Sequence, residues 1–268
     1  MAHSVDWAAL GVDVTKPALA RVYDYMLGGS LNFPEDRAVA ERLAEVGPFR
    51  EMARLNRLFL RRAVRFCVEA GVRQFLDLGS GIPASGNVHE IAQELNRESR
   101  VLYVDHDPIA VAHSEVLLAD NPNATILRAD LRDAAAVVSH PETRALLDFD
   151  RPIALFLLGV VQYIPDSADP AGLIAKYADA VTPGSLLAMT HFTSRNMEEE
   201  MAAAVEHFAE TAAPITLRSA EQITDILGPL EPVEPGVVLT AKWRPELGGP
   251  LAADPERSGH YAVVARKR

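Results

Sequence analysis

The stretch from Phe75 to Gly81, Phe-Leu-Asp-Leu-Gly-Ser-Gly, constrains the fold of this chain more than any other feature. Its apolar residues predict a buried strand, and the Gly-x-Gly at its end predicts a tight loop whose backbone can approach a ligand closely. The helix that follows such a loop points its free amide groups at the same place. The sequence therefore predicts a strand that delivers a glycine loop to a nucleotide-like ligand.

Asp77 is the unusual residue of this strand, because a buried carboxylate is costly unless it meets a cation or hydrogen-bond donors. Its position near the carboxyl end of the strand calls for a ligand that carries a positive charge or an amine. S-adenosylmethionine carries both, in its sulfonium and its amino group.

The composition is that of a folded protein whose ligand is a small molecule. Of the 268 residues, 49% are hydrophobic and 24% are charged, which excludes a disordered chain. The net charge of -11 disfavours nucleic acid and anionic membranes as partners. Cys67 cannot form an internal disulfide, and the longest apolar run, Ile153–Val161, is too short to cross a bilayer. Because no signal sequence is recognisable either, we expect a cytoplasmic protein; its oligomeric state is not predicted.

The predicted secondary structure changes at Gly71. The first part is predicted to be helical, with helices over Ala18–Leu27, from Pro34 onward, and over Phe49–Ala70. One face of the third helix carries a stripe of arginines, which we interpret as a solvated surface. The alternative is that one or two of them reach a carboxylate of a ligand: Arg54, Arg57, Arg61 and Arg65.

The second part is predicted to alternate strands and helices. The strands are expected at Gln74–Leu78, Val101–Val104, Ala124–Arg128, Ile153–Leu158 and Leu186–Thr190. This series predicts a parallel sheet covered by helices on both faces, and hence an α/β fold. Two further segments follow a helix near Ala220–Leu227 and are expected to form an antiparallel hairpin at the sheet edge: Val237–Trp243 and Tyr261–Ala265.

Three acidic residues, Asp77, Asp105 and Asp130, follow successive predicted strands. The second is positioned to accept hydrogen bonds from ribose hydroxyls, and the third to accept an adenine amino proton while Leu131 packs on the ring. Acids at strand ends also cap helices, an interpretation that we favour for Asp107 and Asp133. Three acids at successive strand ends after a glycine loop favour a nucleoside ligand.

A long run from Asp13 to Gly29 and several shorter motifs carry a family resemblance. The shorter motifs are Asn32-Phe33, Asp36-Arg37, Asn56-Arg57, Asn87-x-His89-Glu90 and Tyr103-Val104-Asp105-x-Asp107-Pro108. Over nearly its whole length the chain resembles the actinobacterial S-adenosyl methyltransferase family, long catalogued as a domain of unknown function. This family lies within the class I S-adenosylmethionine-dependent methyltransferases.

The resemblance implies S-adenosylmethionine as cofactor and a Rossmann-like, seven-stranded, mostly parallel sheet with an antiparallel edge hairpin. It implies a helical cap over residues 1–71 and a methyltransferase domain over residues 72–268. By position, Asp77, Gly79, Ser80 and Gly81 are expected at the methionine part of the cofactor, Asp105 at the ribose, and Asp130 with Leu131 at the adenine. His106 is expected among the cofactor contacts. The cap is expected to close with Tyr23, Gly28, Gly29 and Asn32, and the pocket to include Asn87 and His89.

The residues alone leave simpler explanations open for several of these positions. Gly28-Gly29 is also a plain helix stop, and Tyr23 also an ordinary packing aromatic. At the start of the next helix, Asn87 is also explained as an N-cap and His89 as a hydrogen-bond partner of a neighbouring backbone group.

Gln162, Tyr163 and His191 are the candidates on the side of the methyl acceptor. The first two follow the fourth strand, where the sequence departs from the family pattern and where many methyltransferases face the methyl group. His191, after the fifth strand, is a candidate general base with an unperturbed pKa, or else a hydrogen-bonded strand end. Because the sulfonium is an excellent leaving group, positioning is most of the catalysis, and neither a metal nor a metal-ligand spacing is expected.

We therefore predict methyl transfer, by in-line attack in an enclosed pocket, to a small-molecule acceptor of unknown identity. Two alternatives stay open. The spacing Gly79-x-Gly81-x-x-Ala84 also fits an NAD(P)-dependent oxidoreductase, although Asp77 would repel a pyrophosphate there. A non-catalytic sensor of S-adenosylmethionine would carry the same cofactor residues.

Overall fold

Three helices form the N-terminal part of the fold: α1 at Leu19–Met26, α2 at Pro34–Val46 and α3 at Phe49–Glu69. The computed structural model describes residues 12–209, 213–247 and 252–268, so the first eleven residues of the predicted cap lie outside the described residues. Proline and two acids in the first turn favour the start of α2. The chain leaves α3 at Gly71, whose φ of 93° suits glycine.

Five parallel strands form most of the sheet, in the order β3-β2-β1-β4-β5. They are β1 at Gln74–Leu78, β2 at Arg100–Asp105, β3 at Ala124–Arg128, β4 at Ile153–Leu158 and β5 at Leu186–Phe192. Their near-continuous apolar sequences are explained by the helices that cover both faces. The predicted α/β fold with a mostly parallel sheet is confirmed.

Within the described residues, seven further α-helices accompany the strands. They are α4 at Val88–Leu95, α5 at Pro108–Leu118, α6 at Ala134–Ser139, α7 at Pro141–Leu146, α8 at Pro170–Ala180, α9 at Glu198–Ala209 and α10 at Ala220–Ile226. Asp107 and Asp133 cap α5 and α6 by accepting backbone N–H groups, as predicted for them. No helix in the described ranges is both long and apolar enough to cross a membrane.

The antiparallel edge consists of β6 at Glu231–Pro232, β7 at Val238–Leu239 and β8 at His260–Arg266. β8 lies beside β5, and the seven-strand path runs β3-β2-β1-β4-β5-β8-β6, with β7 also paired to β8. The predicted strand over Val237–Trp243 is shorter than expected. After two residues the strand gives way to a 3₁₀ helix. There the carbonyls of Thr240 and Trp243 accept hydrogen bonds from the buried Arg62, at 2.6 and 2.8 Å.

Alternation along the strands sends side chains into two separate cores. Phe75 and Phe156 pack with α3, α4 and α5 on one face. Leu76 and Leu155 pack with α6, α8 and α10 on the other. Because side chains alternate along a strand, Asp77 lies on the same face as Phe75, toward α3.

The N-terminal helices belong to more than one packing unit. The second half of α3 packs on the sheet, whereas α1, α2 and the start of α3 share a core with α9 and with Phe192 at the end of β5. A smaller cluster joins Val12 to Ile82 of the glycine loop and to Ile109 at the start of α5. The N-terminal segment thus lies against the carboxyl ends of the strands; a separate unit over residues 1–71 stays a prediction.

Candidate functional site

The glycine loop after β1 is held tightly between neighbouring strands. The N–H groups of Gly79 and Ser80 donate to the Val104 carbonyl at 2.8 and 3.2 Å. Gly79 has a φ of 76°, and a Cβ there would lie 2.8 Å from Val160 Cγ2 and 3.3 Å from Leu131 Cδ2. Only glycine therefore fits, and the loop touches the segments that follow β3 and β4.

Asp105 anchors this loop from the end of β2. One of its carboxylate oxygens accepts the Gly81 N–H at 2.7 Å, and the other accepts the Asp107 N–H at 2.9 Å. The residue is buried, and this burial raises the pKa of its carboxyl. Asp105 is thus placed as expected for a ribose contact, and it also fixes the shape of the glycine loop.

Asp77 is a buried carboxylate near the partly exposed cation Arg57. Burial raises its pKa to about 7, the positive charge of Arg57 opposes the rise, and the negative charge of Asp105 adds to it. Arg57 donates to the carbonyls of Ser85 and Gly86 at 3.3 and 2.8 Å. One arginine of the predicted solvated stripe therefore turns to the glycine loop, whereas Arg54 pairs with the neighbouring Glu51.

A small cavity opens between the glycine loop, α3, α4 and α5. It is lined by Arg57, Asp77, Ser80, Gly81, Pro83, Asn87, Val88, His89, Tyr103, Ser114, Leu117 and Leu118. The Ser80 hydroxyl is buried without a hydrogen-bond partner among the described residues. A buried acid with a nearby unpaired hydroxyl fits the charged amino-acid end of S-adenosylmethionine, because that end needs both an anion and polar partners.

Asn87 and His89 line this cavity from the start of α4. Asn87 occupies the N-cap position, and its Oδ1 accepts the Ala84 N–H at 3.1 Å. His89 holds the Tyr103 hydroxyl through both its backbone N–H, at 2.9 Å, and its Nδ1, at 2.7 Å. Burial lowers the pKa of His89, which keeps the ring neutral.

The remaining cofactor candidates lie nearer the surface. Leu131 faces the glycine loop, but the Asp130 side chain is 43% exposed and pairs with Arg132, whose Nε lies 3.0 Å from both carboxylate oxygens. This pairing lowers the pKa of Asp130. His106 is 82% exposed, with its Nδ1 3.9 Å from Asp105. The structure therefore brings Leu131 to the loop and leaves Asp130 and His106 at the rim.

The four cap residues fall into two places. Tyr23 lies inside, where its hydroxyl donates to the Ala53 carbonyl and accepts from Asn56 Nδ2, both at 3.1 Å. Gly28, Gly29 and Asn32 instead form an outer turn, and none of the three is among the residues that line the cavity.

Asp24 closes this outer turn, a role that the sequence analysis missed although the residue lies within the family motif. Its carboxylate accepts the Leu31 N–H at 2.9 Å and the Asn32 side-chain amide at 2.8 Å. A Cβ at Gly29 would lie 2.0 Å from Asp24 Oδ1, so only glycine fits there. The glycine pair of the motif is thus explained by the turn itself.

Arg21 joins the first two helices to the sheet. It donates to Asp36 at 2.9 Å, and its Nη1 lies 4.0 Å from Asp107 at the end of β2. All three side chains are buried. A pair of this kind between distant motifs has no local signal in the sequence.

The acceptor-side candidates follow β4, which ends beside the glycine loop. Gln162 is buried, and its Oε1 has no hydrogen-bond partner in the described part of the chain. Tyr163 lies beside it, and burial raises the pKa of the Tyr163 hydroxyl while the Gln162 amide opposes the rise. The structure therefore brings both side chains to the segment that contacts Gly79.

Of the two interpretations of His191, the structure agrees with the hydrogen-bonded strand end and not with a general base of unperturbed pKa. His191 is fully buried; its Nδ1 lies 2.9 Å from the Phe192 carbonyl, and its Nε2 lies 2.7 Å from Arg218 Nη1. Burial lowers its pKa to about 4, and the positive charge of Arg218 adds to this. A neutral ring with both nitrogens engaged cannot accept a proton from a substrate at neutral pH.

Arg218 is a second residue that the sequence analysis missed. Besides His191, it donates to the carbonyls of Val161 and Ile164, at 3.3 and 2.8 Å, and to Asp166 at 2.7 Å. It therefore fastens the segment that carries Gln162 and Tyr163. No group of three or more His, Cys, Asp or Glu side chains in the described ranges is arranged to hold a metal ion.

Comparisons with known proteins agree with this geometry. The sequence profile described as S-adenosyl methyltransferase matches residues 5–268. A crystal structure of a DUF574 family protein from Streptomyces avermitilis is 36% identical, with a TM-score of 0.90 over 96% of this chain and 99% of that one. A candidate methyltransferase from Thermobifida fusca is 39% identical, with a TM-score of 0.91 over 98% of this chain and 100% of that one.

A more distant solved structure is similar to this chain in its fold alone. The N-methyltransferase NodS from Bradyrhizobium japonicum, solved with S-adenosyl-L-homocysteine, is 13% identical, with a TM-score of 0.51 over 92% of this chain and 98% of that one. No curated protein sequence matches the chain significantly.

Proposed function

The chain belongs to the S-adenosyl methyltransferase family, and from this premise we propose that it methylates a small molecule in a pocket enclosed by its N-terminal helices. It is a methyltransferase, and its methyl donor is S-adenosylmethionine. The observation that supports the pocket best is the buried Asp77 at the glycine loop, where a carboxylate is stable only beside a positive charge.

The cofactor residues are proposed as a continuous row along the strand ends. Asp77 and the loop residues Gly79, Ser80 and Gly81, together with Asn87 and His89, would hold the amino-acid end. Asp105, with His106 at the rim, would hold the ribose, and Asp130 with Leu131 the adenine. When bound, S-adenosylmethionine supplies an electrophilic methyl group on a sulfonium.

The cap is proposed to exclude water from this row. Residues 1–71 would act as a unit that closes over the methyltransferase domain of residues 72–268. Arg57 supports this, because it donates to the carbonyls of Ser85 and Gly86 in the glycine loop. Tyr23 would take part through its contact with Asn56, the residue before Arg57. For Gly28, Gly29 and Asn32 the proposed contribution is to hold the turn that orients α1, since Asp24 fixes them at a distance from the cavity.

On the acceptor side we propose Gln162 and Tyr163 as the contacts of the substrate. His191 is proposed to position the segment 161–164 through Arg218 and to take no part as a base. In-line transfer then depends on the orientation of the acceptor and on the exclusion of water from the pocket. The burial of the polar side chains around Gly159 supports the exclusion of water.

Isothermal titration calorimetry tests the cofactor row. After bound cofactor has been removed, we expect S-adenosylmethionine and S-adenosylhomocysteine to bind and NADH not to bind. Asp77→Asn should weaken S-adenosylmethionine binding while the fold stays intact. Binding of NADH alone would contradict the proposal. Binding without any transfer of radioactive methyl groups to a cell extract would instead support a non-catalytic sensor.

A further inference from the structure

Two buried side-chain amides meet at Gly159, directly after β4. A Cβ at this glycine would lie 3.5 Å from Asn56 Nδ2 and 3.7 Å from Gln162 Nε2. Asn56 is 4% exposed and Gln162 is 2% exposed. The next residue, Val160, touches the glycine loop at Gly79. The two amides therefore lie beside the proposed cofactor row.

The carbonyl oxygens of both amides, Asn56 Oδ1 and Gln162 Oε1, are buried without a hydrogen-bond partner among the residues that the structure describes. The orientation of the Asn56 amide follows from Tyr23. The Tyr23 hydroxyl gives its only proton to the Ala53 carbonyl, so the Asn56 atom that contacts it must be the donating nitrogen.

Buried oxygens of this kind destabilise the folded protein unless a ligand donates hydrogen bonds to them. A buried polar atom without a partner costs roughly 1–3 kcal/mol, and buried polar groups in folded proteins are nearly always paired. Two unpaired carbonyl oxygens on uncharged amides that both flank Gly159 match a ligand that offers N–H or O–H donors.

Among the described residues around Gly159, the tyrosine and histidine side chains supply no base for a hydroxyl nucleophile, and the nearby Asp77 is already assigned to the cofactor. Burial raises the pKa of Tyr23 and of Tyr163, so neither hydroxyl is ionised at neutral pH. His191 is neutral, and both of its nitrogens are engaged. An uncharged nitrogen needs no base before it attacks, because its lone pair is already free, whereas an alcohol must lose its proton in the reaction.

We infer that Asn56 and Gln162 form the acceptor subsite and that this subsite takes an uncharged nitrogen nucleophile bearing N–H groups, as in an aromatic amine. The inference rests on the proposed function. The two carbonyl oxygens accept the N–H bonds and so direct the nitrogen lone pair toward the methyl carbon. The N–C bond forms as the C–S bond breaks, its electron pair goes to sulfur, and the methylated ammonium then releases one proton to water.

A stability measurement tests the subsite without a substrate. Gln162→Leu removes an oxygen that has no partner together with the amide contact to Tyr163, so the melting temperature of the ligand-free protein should fall clearly less than in a variant that loses several satisfied hydrogen bonds. Gln74→Leu is the matched control. Gln74 is equally buried, but its Oε1 accepts the Asp148 N–H at 2.7 Å and its Nε2 donates to the Asp148 carbonyl at 2.9 Å.

We expect Gln74→Leu to lower the melting temperature by roughly 4–8 °C, because it removes satisfied hydrogen bonds. Equal losses in the two variants would show that Gln162 is held by the protein itself and would overturn the subsite.

A transfer assay tests the nitrogen assignment. The full chain is given radioactive S-adenosylmethionine and four probes that share one ring: aniline, benzylamine, phenol and thiophenol. Aniline, which is uncharged at pH 7, should be methylated on nitrogen, and Gln162→Leu should lose at least about tenfold in this rate, the equivalent of one hydrogen bond. Its affinity for S-adenosylhomocysteine should be unchanged, and Gln74→Leu should keep the rate.

The outcomes separate the two proposals. Methylation of phenol or thiophenol in preference to aniline overturns the nitrogen assignment. S-adenosylhomocysteine binding without transfer to aniline, or with transfer to the protonated benzylamine in preference to aniline, also overturns it and leaves the cofactor row standing. Absence of S-adenosylhomocysteine binding contradicts the proposed function itself.

Discussion

At the scale of single residues, burial decides which acids and bases are charged. Asp77 and His191 both lie at strand ends, and burial shifts the pKa of the first upward and that of the second downward. The carboxylate is left in need of a cation, whereas the imidazole is left neutral between two partners. Burial therefore makes Asp77 a candidate contact of a cationic ligand and excludes His191 as a general base.

Asp77 predicts a pH dependence of cofactor binding. Its pKa is about 7 in the free protein, and a cationic ligand favours the ionised form. The affinity for S-adenosylmethionine should therefore rise about tenfold between pH 6 and pH 8, with proton release on binding. Calorimetry in buffers of different ionisation enthalpy measures both. A pH profile in Asp77→Asn that matches the original protein would contradict this origin.

The same shift has a consequence for stability. Because the folded protein holds the Asp77 proton up to about pH 7 and the unfolded chain releases it near the ordinary aspartate pKa of 3.8, the contribution of Asp77 to stability is lost as pH rises through this window. Asp77→Asn should remove that loss, which denaturant unfolding at pH 4 and pH 8 would show as a smaller difference than in the original protein.

Asp105→Ala tests the ribose contact. Loss of a charged acceptor should weaken cofactor binding by roughly 1.5–3 kcal/mol. Asp107→Ala is the control, because Asp107 is also buried but caps α5 through Ile109 and Ala110. It should cost about 1 kcal/mol of stability with little change in affinity. Unchanged affinity in a folded Asp105→Ala protein would remove the ribose assignment.

At the scale of elements, the segments between strands and helices are shaped by single side chains that reach them from elsewhere. Asp24 closes the glycine turn after α1, Arg57 of α3 holds the glycine loop, and Arg218 holds the segment after β4. Each of them satisfies backbone groups that no regular structure pairs. The position of the proposed acceptor contacts therefore depends on a residue more than fifty positions away.

Arg218→Met should loosen the segment that carries Gln162. We expect a fall in melting temperature and a loss of methyl transfer, with the affinity for S-adenosylhomocysteine kept, because the bonds to Val161, Ile164 and His191 disappear together. Asp166→Asn is the control: its side chain is 73% exposed, so this ion pair should contribute less than about 1 kcal/mol. Equal effects of the two substitutions would assign the role of Arg218 to the surface pair.

At the scale of the whole molecule, the N-terminal helices and the sheet form one packed body around the strand ends. Arg21 pairs with Asp36 and approaches Asp107, and Val12 packs on Ile82 of the glycine loop. A ligand held at the strand ends would therefore be in contact with elements from both halves of the chain. Its binding should stabilise the molecule as a unit.

S-adenosylhomocysteine should raise the melting temperature of the protein. At about 100 times its dissociation constant it adds about 2.7 kcal/mol, which corresponds to roughly 5–10 °C for a chain of this size. NADH at the same concentration is the control and should leave the transition unchanged. A single shifted transition would agree with one packed body, whereas two transitions, of which one moves, would show that the cap melts by itself.

Most of the elements and their order along the chain could be predicted from the sequence, whereas β6 was not predicted and β7 is shorter than expected. The bounds of β1, β3 and β4 and the start of α3 were predictable, because buried parallel strands need continuous apolar runs and helices show a fixed period. The glycine loop was equally clear, because its backbone conformation excludes other residues. Family membership followed from motifs in the sequence.

Which side chains meet depends on tertiary contacts that leave no local signal in the sequence. Asn56 and Gln162 lie on different elements far apart in the chain, and nothing in either local pattern indicates that both end at Gly159. In the same way, the loss of a free ring nitrogen on His191 depends on its contact with Arg218. Local patterns fix backbone period and turns, whereas burial, charge state and unpaired atoms are set by contacts across the sheet. For this reason the fold could be predicted from the sequence, and the acceptor side of the candidate site could not.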